Sequence, residues 1–183
     1  LGWHTFLQEN NIAFEDKEAF ELNKEIFKLI EEKAYKASKD LAKEYGEPEL
    51  LKGYGRRNTT LLAVAPTTSS AFILGQVSQS IEPVMSNCFV KDVDKMKVTI
   101  KNPTLEALLE EKGFNTSETW NSIRENDGSV QLLDCLTPHE KKIFRTFAEI
   151  DQKAIIDQAS DRQKHIDQSQ SLNLLIDPTM STK

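Results

Sequence analysis

Between Lys17 and Tyr45 the apolar residues Phe20, Ile26, Phe27, Ile30, Ala34, Ala37 and Leu41 recur mostly at steps of three and four. That spacing lays them on one stripe of a long amphipathic helix over 17–45. Asp16 stands where an N-cap belongs, and Gly46 with Pro48 ends the helix. Ahead of it, Trp3, Phe6 and Leu7 mark a short helix over 2–8 that stops at Asn10 and Asn11. Gly53, Tyr54 and Gly55 then form a turn. The run TTLLAVA over 59–65 is short, apolar and bounded by turn signals, which predicts a strand buried on both faces of an α/β sheet. Residues 69–77 read as a short helix with Ala71, Ile73 and Leu74 apolar and Gly75 near its end. Glu82 followed by Pro83 breaks the chain, and 87–90 reads as extended.

The second half continues the helical theme. Residues 98–126 read as a short strand followed by two polar helices, the first capped by Thr104 and the second by Thr116 and Ser117. Asp127 and Gly128 end that region. Thr137, Pro138 and Glu140 compose a strong helix start: a cap, a proline in the first turn and an acidic residue at the third position. From there Ile143, Phe144, Phe147, Ile150, Ala154, Ile155 and Ala159 predict one continuous helix with a single apolar side. Residues 171–176 (SLNLLI) close the chain as a strand. The order is helix, strand, helix, an intervening region, helix, strand, with no internal repeat and no low-complexity tract.

The apolar run over 59–65 ends in Pro66 and then four hydroxyl residues, Thr67, Thr68, Ser69 and Ser70. A strand that runs through such a turn into a helix is suited to holding an anion. The first N–H groups of a helix lack internal partners and carry the positive end of its dipole. Small side chains let a phosphate approach, and hydroxyls add donors. In open α/β sheets ligands sit at the carboxyl ends of strands. Thr68 or Ser69 acting simply as a helix cap is the competing reading, and no glycine-rich phosphate motif is present. The residues alone lead to an α/β domain with either a helix cap or a phosphate loop at this point.

Composition narrows the classes. The 183 residues are 38% hydrophobic and 28% charged with a net charge of −6, as in a soluble globular domain. No basic block points to nucleic acid or an anionic membrane. No apolar run approaches the roughly 20 residues a spanning helix needs, and no signal peptide is visible. Cys88 and Cys135 fit neither a zinc spacing nor a Cys-x-x-Cys motif and read as ordinary buried or partly buried thiols in a reducing, cytoplasmic setting. Arg56 and Arg57 read as a solvated pair that could also help neutralise phosphate charge. Glu82 reads as a buried structural carboxylate. His4, His139 and His165 lie without spaced partners and read as core or surface residues.

The stretch RRNTTLLAVAPTTSSAFILGQVSQSIEPVMSN resembles the C-terminal part of the catalytic large subunit of class I ribonucleotide reductase. The resemblance rests on Pro66, Thr67, Thr68, Ser69 and Ser70, then Ile73 and Gly75, then Ser80, Ile81, Glu82 and Pro83, then Ser86 and Asn87. LGWHTFLQENNIAFEDKEAFELNKEIF, YKASKDLAKEYG and RQKHIDQSQSLNLLIDP agree in the same order, while the region about 94–136 matches least and is expected to be a variable insertion. The style of the sequence suggests a phage-like or bacterial version.

The resemblance implies a helix-rich C-terminal portion of a ten-stranded α/β barrel, forming a single partial domain over 1–183. It implies a segment of an enzyme that reduces ribonucleoside diphosphates to deoxyribonucleoside diphosphates, with the substrate phosphates gripped by Thr67, Thr68, Ser69 and Ser70. The family's radical and reducing cysteines and its tyrosine pair match nothing in these 183 residues. The chain is therefore expected to carry no catalytic residue, to bind no metal or cofactor, and to be inactive by itself, as a cropped piece or one polypeptide of a split enzyme. The expected partners are the remainder of the large subunit, a small subunit bearing a metal-dependent radical generator, the nucleoside diphosphate and a thioredoxin- or glutaredoxin-type reductant. No membrane and no direct nucleic-acid contact are expected. A non-catalytic remnant or interaction module of the same fold is the alternative. The strand edges of a part-barrel need their other half, so the isolated chain is expected to aggregate or to be partly unfolded.

Overall fold

The long stripe folds as a 29-residue helix, α2 (Lys17–Tyr45), preceded by α1 (Trp3–Glu9). These elements belong to a computed structural model that describes residues 1–93 and 96–176. A short 3-10 turn (Glu49–Leu51) follows, then α3 (Thr68–Ile73) and an antiparallel hairpin of β1 (Cys88–Val93) and β2 (Met96–Lys101). Helices α4 (Pro103–Glu111), α5 (Ser117–Glu125), α6 (Pro138–Ile143) and α7 (Gln152–Gln163) complete the described elements. In the hairpin Cys88 stands opposite Lys101 and Val90 opposite Thr99.

Two apolar clusters form the core. Leu105, Leu109, Trp120, Ile123 and Val130 from the 94–136 region pack with Ala13, Cys88, Ile143 and Phe144 in one. Trp3, Leu7, Phe14, Ala19, Phe147, Ile150 and Ile155 form the other. Residues of the 94–136 region thus contribute much of one core cluster. Gln158 binds α1, α2 and α7 together through its side chain and its backbone carbonyl. It accepts from Trp3 Nε1 (2.9 Å) and donates to the Phe14 carbonyl (2.8 Å), while Asn23 Nδ2 donates to the Gln158 backbone carbonyl (2.9 Å). Beside it the fully buried Arg162 donates from Nη1 to Asn23 Oδ1 (3.0 Å) and lies over the Phe27 ring. Burial draws its pKa down to about 10.

Several expectations are corrected. Asp16 makes no side-chain cap; its carboxylate accepts from the Ala13 N–H (3.1 Å) and from Lys142, joining α2 to α6. Asn102, not Thr104, caps α4, because its Oδ1 accepts from the Thr104 and Leu105 N–H groups. Thr116 caps α5, and Thr137 with Glu140 forms a capping box at α6. The helix expected to run on from Pro138 stops at Ile143 and restarts at Gln152. Glu149 takes the Thr146 N–H (2.7 Å), the Phe147 N–H goes to the Val84 carbonyl (2.8 Å), and Asp151 caps a new helix. The apolar side was still read correctly, since all seven residues from Ile143 to Ala159 named above are buried.

The two predicted strands are corrected most. Residues 59–65 and 171–176 form no sheet among the described residues; 59–65 makes one isolated parallel bridge, Val64 to Gln170, just ahead of the second segment. The Val64 N–H reaches the Ser169 carbonyl (3.1 Å), the Ser171 N–H reaches the Val64 carbonyl (2.8 Å), and Asp167 accepts from Leu61 and Leu62 (2.8 Å each). A central parallel strand has a neighbour on each edge and cover on each face. Here 59–65 has one neighbour, Ala63 and Ala65 are exposed, and Leu61, Leu62 and Val64 are only half-buried. The second half of the α2 stripe is similarly bare at Ile30, Ala37 and Leu41, and Leu174, Leu175 and Ile176 are exposed.

These open apolar surfaces predict that the isolated chain self-associates. Sedimentation across a concentration series should show growing species that bind a hydrophobic dye, and a monomer that binds none would contradict this. A second prediction concerns two glycines with positive φ, Gly113 (75°) and Gly128 (85°). A Cβ on Gly113 would meet nothing within 4 Å, whereas one on Gly128 would lie 2.7 Å from Ser86 Cα. Gly113→Ala should cost about 1–2 kcal/mol, the left-handed penalty alone, and Gly128→Ala distinctly more. Urea unfolding at low protein concentration reads both, and equal losses would mean that the contact with Ser86 is loose.

Candidate functional site

The four hydroxyl residues lie where the one-sided segment 59–65 turns into α3. Thr67 occupies the N-cap position with φ 49°, a left-handed conformation unusual for a β-branched residue. No side chain caps the helix. The reading of Thr68 or Ser69 as a simple helix cap is thus not what the structure builds. The backbone carbonyl of Thr67 takes the Ala71 N–H (3.0 Å), and the N–H groups of Thr68, Ser69 and Ser70 find no acceptor among the described residues. Thr68, Ser69 and Ser70 are exposed, and Thr67 is half-buried.

The hydroxyls divide into two kinds. Thr67 Oγ1 accepts from the Ser80 N–H (3.0 Å), and the Thr68 hydroxyl donates to Gln79 Oε1 (2.8 Å). Ser69 and Ser70 hydroxyls have no partner among the described residues and face solvent. The loop 75–80 that receives the first pair is itself tight: Gln76 (φ 64°) and Ser80 (φ 47°) are also left-handed. Strained backbone of this kind persists only where surrounding contacts over-determine it. A cleft of about 350 Å3 opens behind α3, walled by Ala71, Phe72, Pro83, Met85 and Phe89; of the four hydroxyl residues only Thr68 reaches it.

Glu82 is buried, as expected of a structural carboxylate. Oε1 accepts from the backbone N–H (2.8 Å) and Nδ2 (2.9 Å) of Asn173, and Oε2 accepts from Gln79 Nε2 (3.2 Å). Sequence reasoning passed over Gln79 and Asn173, and gave Ser80 no role at the loop. The one available signal was that a buried glutamate three residues after a glutamine in a turn needs donors.

The remaining candidates fall away from the loop. Arg57 donates to the carbonyls of Tyr45 (3.0 Å) and Gly46 (2.7 Å), closing the C-terminus of α2, and Arg56 donates to the Thr59 carbonyl (3.1 Å) over the Tyr35 ring. His139 meets the Asn11 carbonyl at the surface, and His165 Nδ1 bridges to Glu31 (2.8 Å). Cys88 and Cys135 are free thiols, the first buried and the second half-buried. Burial pushes the Cys88 thiol up, partly opposed by Arg124 and Lys101. Among the described residues no three His, Cys, Asp or Glu side chains gather as metal ligands, and no helix is long and apolar enough to cross a membrane.

His4 is a core residue. Its Nδ1 accepts from the Val84 N–H (3.0 Å), so the ring proton sits on Nε2, which faces the Ile143 carbonyl (3.3 Å). Burial lowers its pKa to about 4, with the Ile143 contact opposing.

Comparison with known proteins bears on the whole chain. The profile described as ribonucleotide reductase, barrel domain, matches residues 1–51 and 47–183. A class Id ribonucleotide reductase alpha subunit from Actinobacillus ureae superposes with a TM-score of 0.91 at 55% identity, over 99% of this chain and 33% of that one. The ribonucleoside-diphosphate reductase large subunit of Invertebrate iridescent virus 6 is 42% identical over 183 residues, covering 97% of this chain and 19% of its own length. That of Invertebrate iridescent virus 3 is 39% identical over 181 residues, covering 97% and 29%. The chain therefore spans a third or less of these relatives.

The geometry of His4 yields a pH prediction. Its folded pKa lies below the ordinary 6.5, so the folded state resists protonation. Its contribution to stability is complete above about pH 6.5 and is lost as pH falls toward 4. Imidazole NMR should give an inflection near pH 4 and an Nε2–H tautomer at neutral pH. An inflection near 6.5 would mean that the ring is hydrated.

Proposed function

The chain belongs to the ribonucleotide reductase barrel family, and we propose that it is the segment of a class I ribonucleoside-diphosphate reductase large subunit that holds the substrate phosphates. Its fold is a helix-rich part of an α/β barrel. The loop of Thr67, Thr68, Ser69 and Ser70 receives the diphosphate. The observation that carries this reading is the set of three adjacent N–H groups, at Thr68, Ser69 and Ser70, left without acceptors beside two uncommitted serine hydroxyls. Such a cluster offers an anion several short donors in a fixed arrangement.

The reduction itself, of ribonucleoside to deoxyribonucleoside diphosphate, is the work of the whole large subunit. No catalytic residue, metal or cofactor is assigned to this segment. The partners are the remainder of the large subunit, a separate small subunit carrying the metal-dependent radical generator, and a thioredoxin- or glutaredoxin-type reductant. The setting is cytoplasmic.

Replacing both Ser69 and Ser70 by Val in the assembled large subunit removes two donors and crowds the N–H groups. Affinity for a nucleoside diphosphate should fall about tenfold or more, with assembly unchanged by sedimentation. Alanine is a weaker test because the N–H groups stay open. Unchanged affinity in the Val variant would remove the loop from the substrate site.

A further inference from the structure

Thr68 is joined to the far end of the chain by an unbroken run of side-chain hydrogen bonds. Asn173 donates twice to Glu82 Oε1, Gln79 Nε2 donates to Glu82 Oε2, and the Thr68 hydroxyl donates to Gln79 Oε1. The directions are fixed from one end. A carboxylate only accepts, so Gln79 must turn its NH2 toward Glu82. Its carbonyl oxygen then faces Thr68, and the hydroxyl there must donate. The Thr68 proton is consumed inside the protein and is not offered to solvent.

We propose that Glu82 and Gln79 are positioning residues for the phosphate loop, holding the Thr68 hydroxyl as an anchor so that the adjacent N–H groups and the Ser69 and Ser70 hydroxyls meet the diphosphate. The proposal rests on the phosphate-loop reading above and adds to it a division of labour among the four residues. Thr68 contributes its backbone N–H to the ligand and its side chain to the scaffold. Thr67 is steadied on the same side by the Ser80 N–H, which holds its left-handed backbone. Ser69 and Ser70 make no competing contact among the described residues, so both hydroxyls can turn to the ligand. The bond to Asn173 ties the loop to the segment that pairs with 59–65 through Gln170, so the strand and the loop it leads into share one support.

The test is a double-mutant cycle in the assembled large subunit, read as affinity for a nucleoside diphosphate and for the matching nucleoside without phosphates. Thr68→Val and Gln79→Met each break the run at positions that are not fully buried. Each should weaken diphosphate binding about fivefold, the scale of one lost hydrogen bond, and leave the nucleoside unaffected. The double variant should be no worse than the worse single, because both cut the same connection. Thr68→Ser keeps the hydroxyl and should restore binding. Glu82→Gln can preserve every link by reversing the Gln79 amide and the Thr68 hydroxyl, so it should stay within about twofold of the parent.

Multiplicative losses in the double variant would show that the Thr68 hydroxyl touches the ligand itself, and would overturn the proposal. So would a Glu82→Gln loss as large as that of Gln79→Met, which would credit the charge rather than the relay. Unchanged affinity in Gln79→Met would refute the relay, provided that the Ser69 and Ser70 valine variant still binds weakly. If that variant also binds normally, it is the phosphate-loop reading that has failed.

Discussion

The buried carboxamide of Asn87 is the point on which the described structure turns. Its Nδ2 donates to the carbonyls of Gly128 (2.9 Å) and Phe144 (2.8 Å), and its Oδ1 accepts from Asn102 (2.8 Å). Its backbone N–H also reaches the Gly128 carbonyl, and its carbonyl takes the Asn102 N–H. One side chain thus serves the start of β1, the cap of α4, the turn after α5 and the end of α6. These are ends of elements, where carbonyls and N–H groups lack regular partners. Left unpaired in a dry interior each would cost about 1–3 kcal/mol. The close approach that makes this economy work falls on Gly128, whose missing Cβ leaves room for Ser86. His4 performs the same service one step earlier in the chain, linking the Val84 N–H to the Ile143 carbonyl.

With 84–87 clamped on its far side, the loop over 67–80 hangs between a fixed point and the one-sided segment 59–65. Three of its non-glycine residues, Thr67, Gln76 and Ser80, take left-handed conformations that side chains resist. The Ser80 N–H donating to Thr67, and Gln79 accepting from Thr68 while donating to Glu82, hold the inner half, and nothing among the described residues engages the outer N–H groups. The same contacts that keep the strained backbone in place leave its donors aimed outward. A loop assembled for helix capping alone would have spent a hydroxyl on those N–H groups.

Periodicity made α1 and α2 legible almost to their ends, because a three-and-four spacing has one common helical solution. The capping box at Thr137 and the cap at Thr116 were legible for the same local reason. Asp16 and Thr104 misled because capping residues compete for the same N–H groups, and only tertiary contact decides between Asn102 and Thr104 or turns Asp16 toward Lys142. The break between α6 and α7 was invisible to the apolar pattern, since a turn held by Glu149 kept every apolar residue buried. The position of the hydroxyl loop was readable from the run of apolar residues into Pro66 and four hydroxyls. The division between anchored and free hydroxyls was not, because Gln79 and Asn173 reach it from elsewhere in the chain.

The two failed strands are informative about the barrel to which this segment belongs. TTLLAVA has the composition of a strand covered on both faces, yet among the described residues its backbone is paired along one edge alone, by Asp167 to Ser171. The helix α2 shows the matching defect: near its start Asn23 is buried against Gln158 of α7, while the stripe residues Ile30 and Leu41 are bare. Arg57 and Asn58 tie that bare half to the start of the segment through Tyr45, Gly46 and Ser38. Sequence therefore encodes more burial than the described residues satisfy among themselves, and α2 and 59–65 both carry part of the excess. The hydroxyl loop sits at the carboxyl end of that under-covered segment. Whatever covers 59–65 in the assembled barrel also sets the rigidity of the hydroxyl loop that follows it, so completing the barrel and holding the three open N–H groups in place draw on the same contacts.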